Sequence, residues 1–149
     1  LYKNVIGKKS KKVKNMVERG MVKRFAESIG DSHPIFIDEE YGRQSRYKKN
    51  IAPPTFPRVF DYGEINELYL PNVGLIHGEQ TYHYERPLLV GETIYCFTEV
   101  ADYYEKKASL GLLGFIVLKR YGEDAEGNTI FTEDQSIIIT ETIRKELSK

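Results

Sequence analysis

An α+β domain, helices first and antiparallel strands after them, is what this sequence predicts, and three observations carry that expectation. Near the N-terminus, Met21, Val22, Phe25, Ala26 and Ile29 fall at helical spacing and form one apolar stripe. The second half instead carries runs rich in aromatic and β-branched residues, at Gln80 to Glu85, Glu92 to Tyr104, Leu110 to Tyr121 and Thr129 to Thr142. The chain has 149 residues, 40% hydrophobic and 30% charged, which suits one globular domain, so residues 1–149 are read as a single unit. Helices gathered early and strands late favour a helix laid on one face of an antiparallel sheet.

Taken in order, Val13, Asn15 and Val17 alternate as a short edge strand would. The apolar stripe predicts a helix from Gly20 to Ile29, ended by Gly30, because glycine enters the left-handed region without steric cost. Asp31-Ser32-His33-Pro34 is turn chemistry: Asp and Ser side chains bond nearby amides and proline fixes its own φ. Ile35 to Asn50 reads as polar and irregular, with a helical turn at Glu39 to Gln44. Ile51-Ala52-Pro53-Pro54-Thr55 leads rigidly into an expected second helix, with Thr55 as N-cap and Pro57 in its first turn. Phe56, Val59, Phe60 and Gly63 would share one face of that helix, which Tyr69-Leu70-Pro71-Asn72 ends. The strand runs follow, and Asp124 to Asn128 is the hairpin loop between the last two.

Composition excludes several classes. The single cysteine, Cys96, makes no intrachain bridge and is expected in the core; with only three histidines beside it, a Cys-type zinc site is excluded and no metal is expected. Basic and acidic residues balance at 22 each, but Lys8, Lys9, Lys11, Lys12 and Lys14 are crowded together. No aromatics interleave with them, so the cluster reads as a solvated arm and not as a nucleic-acid platform. No apolar run approaches the roughly 18 residues that a bilayer requires. The lysine-rich start does not read as a signal peptide, so no membrane partner and a cytoplasmic location are the expectations.

The search for chemistry is mostly negative: the chain has no glycine-rich phosphate loop, no serine elbow and no histidine pair on a helix turn. What remains is Asp31 with His33, and the polar knot His77-Gly78-Glu79-Gln80. An Asp and a His meeting in one cleft can act as general base and acid when their pKa values straddle neutrality. The plainer alternatives are Asp31 as a turn former, His33 as a surface turn residue, and His77 bonding backbone at the mouth of a strand.

The stretch from Phe25 to Asp38, reading FAESIGDSHPIFID, resembles the signature of MaoC-like, R-specific enoyl-CoA hydratases and hydroxyacyl dehydratases, which have a hot dog fold. The similarity continues through Ile51-Ala52-Pro53-Pro54-Thr55-Phe56, through Leu75 to Gln80 and through Tyr84 to Glu92, in that order. Together these motifs look like the N-terminal half of such dehydratases, the version found in fused double hot dogs and in separate partner subunits. The resemblance spans about Val13 to Thr142.

That resemblance implies a single hot dog domain, a sheet wrapped around a helix, acting on an acyl-CoA or acyl-carrier thioester with no other cofactor. In the family an Asp and a His activate water and shuttle the proton at the α-carbon, while amides at a helix N-terminus polarise the thioester carbonyl. The family Asp falls on Asp31, an Asn falls on His33, and the catalytic His falls on Phe36. A phenyl ring exchanges no proton, and losing one member of an acid–base pair costs orders of magnitude in rate. Asp31 and His33 are therefore the remaining catalytic candidates, and Phe36 is expected to line an apolar tunnel instead. Pro34, Pro54, Thr55, Phe56, His77 and Gly78 are the other substrate-binding candidates.

Free amides at Thr55 would face a thioester or phosphate oxygen, and Arg58, Arg86 or the N-terminal lysines would meet the phosphates of CoA. In two-part members the N-terminal half supplies part of the acyl tunnel and a partner supplies catalysis. The expected function is thus a subunit of a hydratase/dehydratase. The alternatives are a non-catalytic acyl-CoA-binding or regulatory homodimer, and a self-sufficient homodimer using Asp31 and His33. Hot dog domains leave sheet edges that pairing covers, so a homodimer, or a heterodimer with a C-terminal-type MaoC-like subunit, is expected.

Overall fold

Aromatic and β-branched residues dominate the second half of the chain, and there the computed structural model, which describes all residues 1–149, forms long strands. The elements are β1 (Val13–Met16), α1 (Arg19–Ser28), α2 (Pro34–Ile37), α3 (Glu39–Gln44), β2 (Leu75–Tyr84), β3 (Thr93–Ala108), β4 (Gly111–Glu123), β5 (Thr129–Ile139) and α4 (Glu141–Leu147). Single 3-10 turns add Lys3–Val5 and Phe56–Val59. All strand pairs are antiparallel, and the five-stranded sheet runs β1-β3-β4-β5-β2. No helix is long and apolar enough to cross a membrane.

Period-two alternation gives the sheet one covered face. On it Ile116, Leu118, Arg120 and Gly122 of β4 stand opposite Ile137, Gln135, Glu133 and Phe131 of β5. Phe56, Phe60 and Tyr62 share a buried cluster with Ile94, Cys96 and Phe131, together with Val22 and Ala26 of α1. At the other end of the sheet Ile65 packs with Ile116, Leu118 and Ile139, and Ile143 and Leu147 of α4 rest against that group. Cys96 lies fully buried in β3, as expected, and burial pushes its thiol up to about 12.

Several elements depart from the sequence reading. The helix expected from Thr55 forms only as the four-residue turn Phe56–Val59, and Thr55 makes no side-chain cap bond. Phe60 is already extended at ψ 151, and Gly63 takes φ +75 where a Cβ would stand 3.0 Å from the Lys11 carbonyl oxygen. Phe56, Phe60, Tyr62 and Ile65 are all buried, and a helix cannot turn that spacing wholly toward the sheet. An irregular strap, rather than a long helix, therefore crosses the covered face. The short helix α2 falls within the stretch read as irregular. The strand read as running to Thr142 ends at Ile139, where Thr140 passes the chain into α4.

The two sheet edges differ. Beyond β1, Gly7 and Ser10 continue to bond β3, their amides donating to Val100 and Thr98 carbonyls at 2.8 and 2.9 Å. The ten-residue β2 pairs only with β5 and leaves its outer edge open.

Candidate functional site: an apolar cleft around Phe36

Asn50 organises the site. Its side chain is almost wholly buried, and its Nδ2 donates to the carbonyls of Ile35 and Asp38, both at 2.8 Å. Its Oδ1 accepts from Arg19 Nη1 at 2.8 Å, so one amide ties α1, α2 and α3 together. Gly42 permits this, because a Cβ there would lie 2.6 Å from the Asn50 amide nitrogen. Residues 50–52 then run antiparallel to 88–90: Ala52 N donates to Leu88 O at 2.9 Å, and Val90 N to Asn50 O at 3.0 Å.

Between these segments opens a cleft of about 400 Å³ lined by Phe36, Ile51, Ala52, Pro54, Tyr84, Glu85, Arg86 and Pro87. Tyr84 forms one wall. Its hydroxyl donates to the Pro54 carbonyl, and its ring rests 5.8 Å from that of Phe131, which in turn stacks on Phe60. Burial raises the Tyr84 phenol above its ordinary value, so it stays a neutral donor. Arg86 is held by Glu92 through two contacts of 3.0 Å, which occupies the charge expected to meet a phosphate.

Of the residues singled out in the sequence, Phe36 and Pro54 line the cleft. Pro34 heads α2 at the surface, and Phe56 is buried in the core, edge-on to Phe25 and Phe60. Asp31 and His33 are exposed and outside the lining. His33 Nδ1 accepts from the Ile35 amide at 3.0 Å, capping α2, and its ring stands edge-on to Phe36 at 6.2 Å. Only the backbone amide of Asp31 is engaged, donating to Ala26 O at 2.9 Å.

The expected amide site at Thr55 does not form. Phe56 N donates to Pro53 O, Arg58 N donates to Thr55 O, and Pro57 has no N–H. His77 and Gly78 sit at the start of β2, roughly 20 Å along the strand from Tyr84. Gly78 occupies a bulge where a Cβ would crowd Ile138 at 3.0 Å. Among the N-terminal lysines, Lys8, Lys9 and Lys12 pair with Glu67, Glu99 and Glu123.

Sequence reasoning passed over Ile51, Ala52, Tyr84, Glu85 and Pro87 as lining residues, although all five lie in motifs it had marked. Antiparallel pairing of the motifs was the missing signal. It also passed over Glu133, which is fully buried two residues from Phe131 on the same face. One carboxylate oxygen accepts from Gln80 Nε2 at 2.6 Å and faces Arg120 Nη1 at 3.6 Å; the other has no partner.

Burial raises the Glu133 carboxyl above the usual range, against the opposing pull of Arg120 and Gln80. A raised folded pKa favours the protonated form in the folded chain. Its stabilising share is therefore fully present below the unfolded value and is lost as pH rises through the folded one. Glu133→Gln, which imitates the protonated form, is expected to raise the Tm by a few degrees at about pH 8 and to change it little near pH 4. Thermal melts across that range check this; a lower Tm for the variant at the upper end contradicts it.

An antiparallel sheet carrying a strap on one face, with an apolar cleft at its edge, has the architecture of a hot dog domain. The chain belongs to the family described as FAS1-like, dehydratase domain region, whose model matches residues 4–133. A UPF0336 protein of Thermobifida fusca is 33% identical over 92 residues, 58% of this chain and 60% of that relative's own length. Among solved structures, the C-terminally truncated HadBC (3R-hydroxyacyl-ACP dehydratase) complex of Mycobacterium tuberculosis aligns at TM-score 0.78 and 19% identity, over 93% of this chain and 99% of the matched one. The ChsH1-ChsH2 complex of the same organism aligns at 0.74 and 21%, over 89% and 84%. The resemblance to MaoC-like dehydratases read from the motifs holds.

Proposed function

We propose that the chain is the acyl-binding subunit of an R-specific enoyl-CoA hydratase or 3-hydroxyacyl thioester dehydratase, with the acid–base pair on a C-terminal-type partner. The reaction adds water reversibly across the α,β double bond, oxygen to the β-carbon and a proton to the α-carbon. One observation carries the reading: Phe36, which cannot move a proton, lines the cleft, while Asp31 and His33 lie outside its lining. Ile51, Ala52, Pro54 and Phe36 suit an acyl chain, and the neutral Tyr84 hydroxyl, with Glu85 and Arg86, is among the polar groups of the lining. Dehydratase subunits that share the fold occur in heteromeric complexes, and the open edge of β2 offers a partner a strand to pair with.

Calorimetric titration with a 2-enoyl-CoA ester tests the cleft. Saturable binding is expected, weakened about tenfold or more when a charge is placed in the cleft by Phe36→Asp. Ile51→Glu, at a half-buried position, provides the same test should the first variant fail to fold. Absence of saturable binding by the unaltered chain overturns the reading. Binding without turnover beside every C-terminal-type partner favours a non-catalytic, regulatory homodimer.

A further inference from the structure

The outer face of the sheet, turned away from the strap, changes character along its strands. One cross-strand row, Glu99, Lys119, Asp134 and Thr81, carries a charge or a hydroxyl at every position. Two steps along, the row is Tyr104 on β3, Phe115 on β4, Ile138 on β5 and Ile76 on β2, apolar from each strand to the next. The Tyr104 and Phe115 rings stack 5.0 Å apart, Leu113 and Val117 flank Phe115 along β4, and Ile76 is 46% exposed. Single apolar residues scattered over a surface are ordinary, whereas a contiguous exposed patch marks an interface.

Two free charges bracket this patch. Lys106 and Asp102 stand one step on either side of Tyr104, and both are exposed. Lys106 Nζ lies over the Tyr104 and Phe115 rings, 5.4 and 5.9 Å from their centres. Asp102 Oδ1 accepts from the amide of its own neighbour, Tyr103. Neither residue enters an ion pair within the chain. Asp102 reaches the outer face because of the bulge between Val100 and Asp102; regular alternation would put it on the covered face beside Val100.

We propose that this face binds the same face of a second copy of the chain. A two-fold axis running across the strands, through the Tyr104–Phe115 row, lays one ring pair on the other. Lys106 and Asp102 lie equally far from Tyr104 along β3, about 7 Å each. The same axis therefore sets each Lys106 opposite Asp102 of the second copy, so the surface is complementary to itself in charge as well as in apolarity. The apolar row forms the centre of the contact and the two ion pairs its rim, in the aligned packing usual for two sheets face to face. Tyr84 and the acyl cleft belong to the covered face, so the contact leaves both the cleft and the open edge of β2 free.

Sedimentation equilibrium of the full chain across a range of concentrations tests this. Phe115→Lys is expected to halve the mass of the assembly that the unaltered chain forms, with 2-enoyl-CoA binding unchanged, and Leu113→Lys provides the same test should the first variant fail to fold. Lys106→Asp and Asp102→Lys are each expected to weaken self-association about tenfold or more, since each sets like charges opposite one another twice. The double variant Lys106→Asp, Asp102→Lys is expected to recover it. An equimolar mixture of the two single variants is expected to associate where neither does alone, because each supplies the charge that the other requires. A residue serving only its own chain does not give that result.

An unaltered chain that is monomeric throughout, or that has the same mass as Phe115→Lys, overturns the proposal; in the second case the edge of β2 alone carries the assembly. A mixture of single variants no better associated than each alone also overturns it. So does a C-terminal-type partner whose binding is lost in Phe115→Lys while self-association is kept, which would place that partner on this face instead.

Discussion

Purified alone, the chain is expected to leave the absorbance of a conjugated 2-enoyl-CoA ester unchanged, and to hydrate that ester only when a C-terminal-type partner is added. A positioned acid–base pair contributes typically about 10²–10⁴-fold, so its absence puts the lone chain at least about a hundredfold below the assembled pair. The geometry gives the reason. Position 36 lies on the cleft wall, and its phenyl ring can only contact an acyl chain. His33, whose ring stands edge-on to Phe36, has its Nδ1 committed to the Ile35 amide as the cap of α2, and the Asp31 carboxylate is exposed outside the lining. Asp31→Asn is accordingly expected to leave acyl-CoA binding by the lone chain unaltered. Turnover by the lone chain that disappears in Asp31→Asn would return catalysis to Asp31 and His33 and make the chain a self-sufficient enzyme.

Gly122→Val is expected to be among the most destabilising single changes in the fold. A Cβ at Gly122 would overlap the Phe131 ring, which is fully buried opposite it in the β4–β5 ladder and is flanked by Phe60 and Tyr84. Overpacking of this kind costs about 3 kcal/mol where the neighbour cannot yield. For a domain of this size that corresponds to a fall in Tm of roughly 6–12 °C. Because Phe131 supports Tyr84, thioester affinity is expected to fall with it. Gly122→Ala combined with Phe131→Leu should lose less than the two single losses added together, since the smaller side chain vacates the space the methyl enters. Strict additivity in that cycle, or a Gly122→Val melt equal to that of the unaltered chain, contradicts the packing account.

Much of the fold was legible locally. The stripe through Met21, Phe25 and Ile29 matches α1, Gly30 ends it at φ +72, and Glu39–Gln44 is helical as read. Strand identity was legible too, since β3, β4 and β5 begin within a residue or so of the places where aromatic and β-branched residues take over. The site was legible only in part. Phe36 and Pro54 could be named from the motif stretches, but Tyr84 stands 48 positions from Phe36 and meets it only through tertiary pairing. His77 was misleading for the same reason: its motif is intact, yet its strand carries it to the end of β2 away from the cleft.

By itself, then, the sequence determined what depends on neighbours a few residues apart: where helices and strands begin, which turns need glycine, and that position 36 holds no proton-transferring group. Such features follow from periodicity, sterics and side-chain chemistry, which act over short range. The tertiary structure decided what depends on burial between distant segments. Thr55 and Pro57 have good helix-start chemistry, yet Phe60, Tyr62 and Ile65 are drawn one after another onto the sheet, and the helix stops after one turn. Glu133, which the sequence does not single out, is placed inside by its register opposite Arg120. The cleft exists because residues 50–52 pair with 88–90, a long-range pairing that buries Ala52, Leu88 and Val90 and that no local preference along either segment specifies.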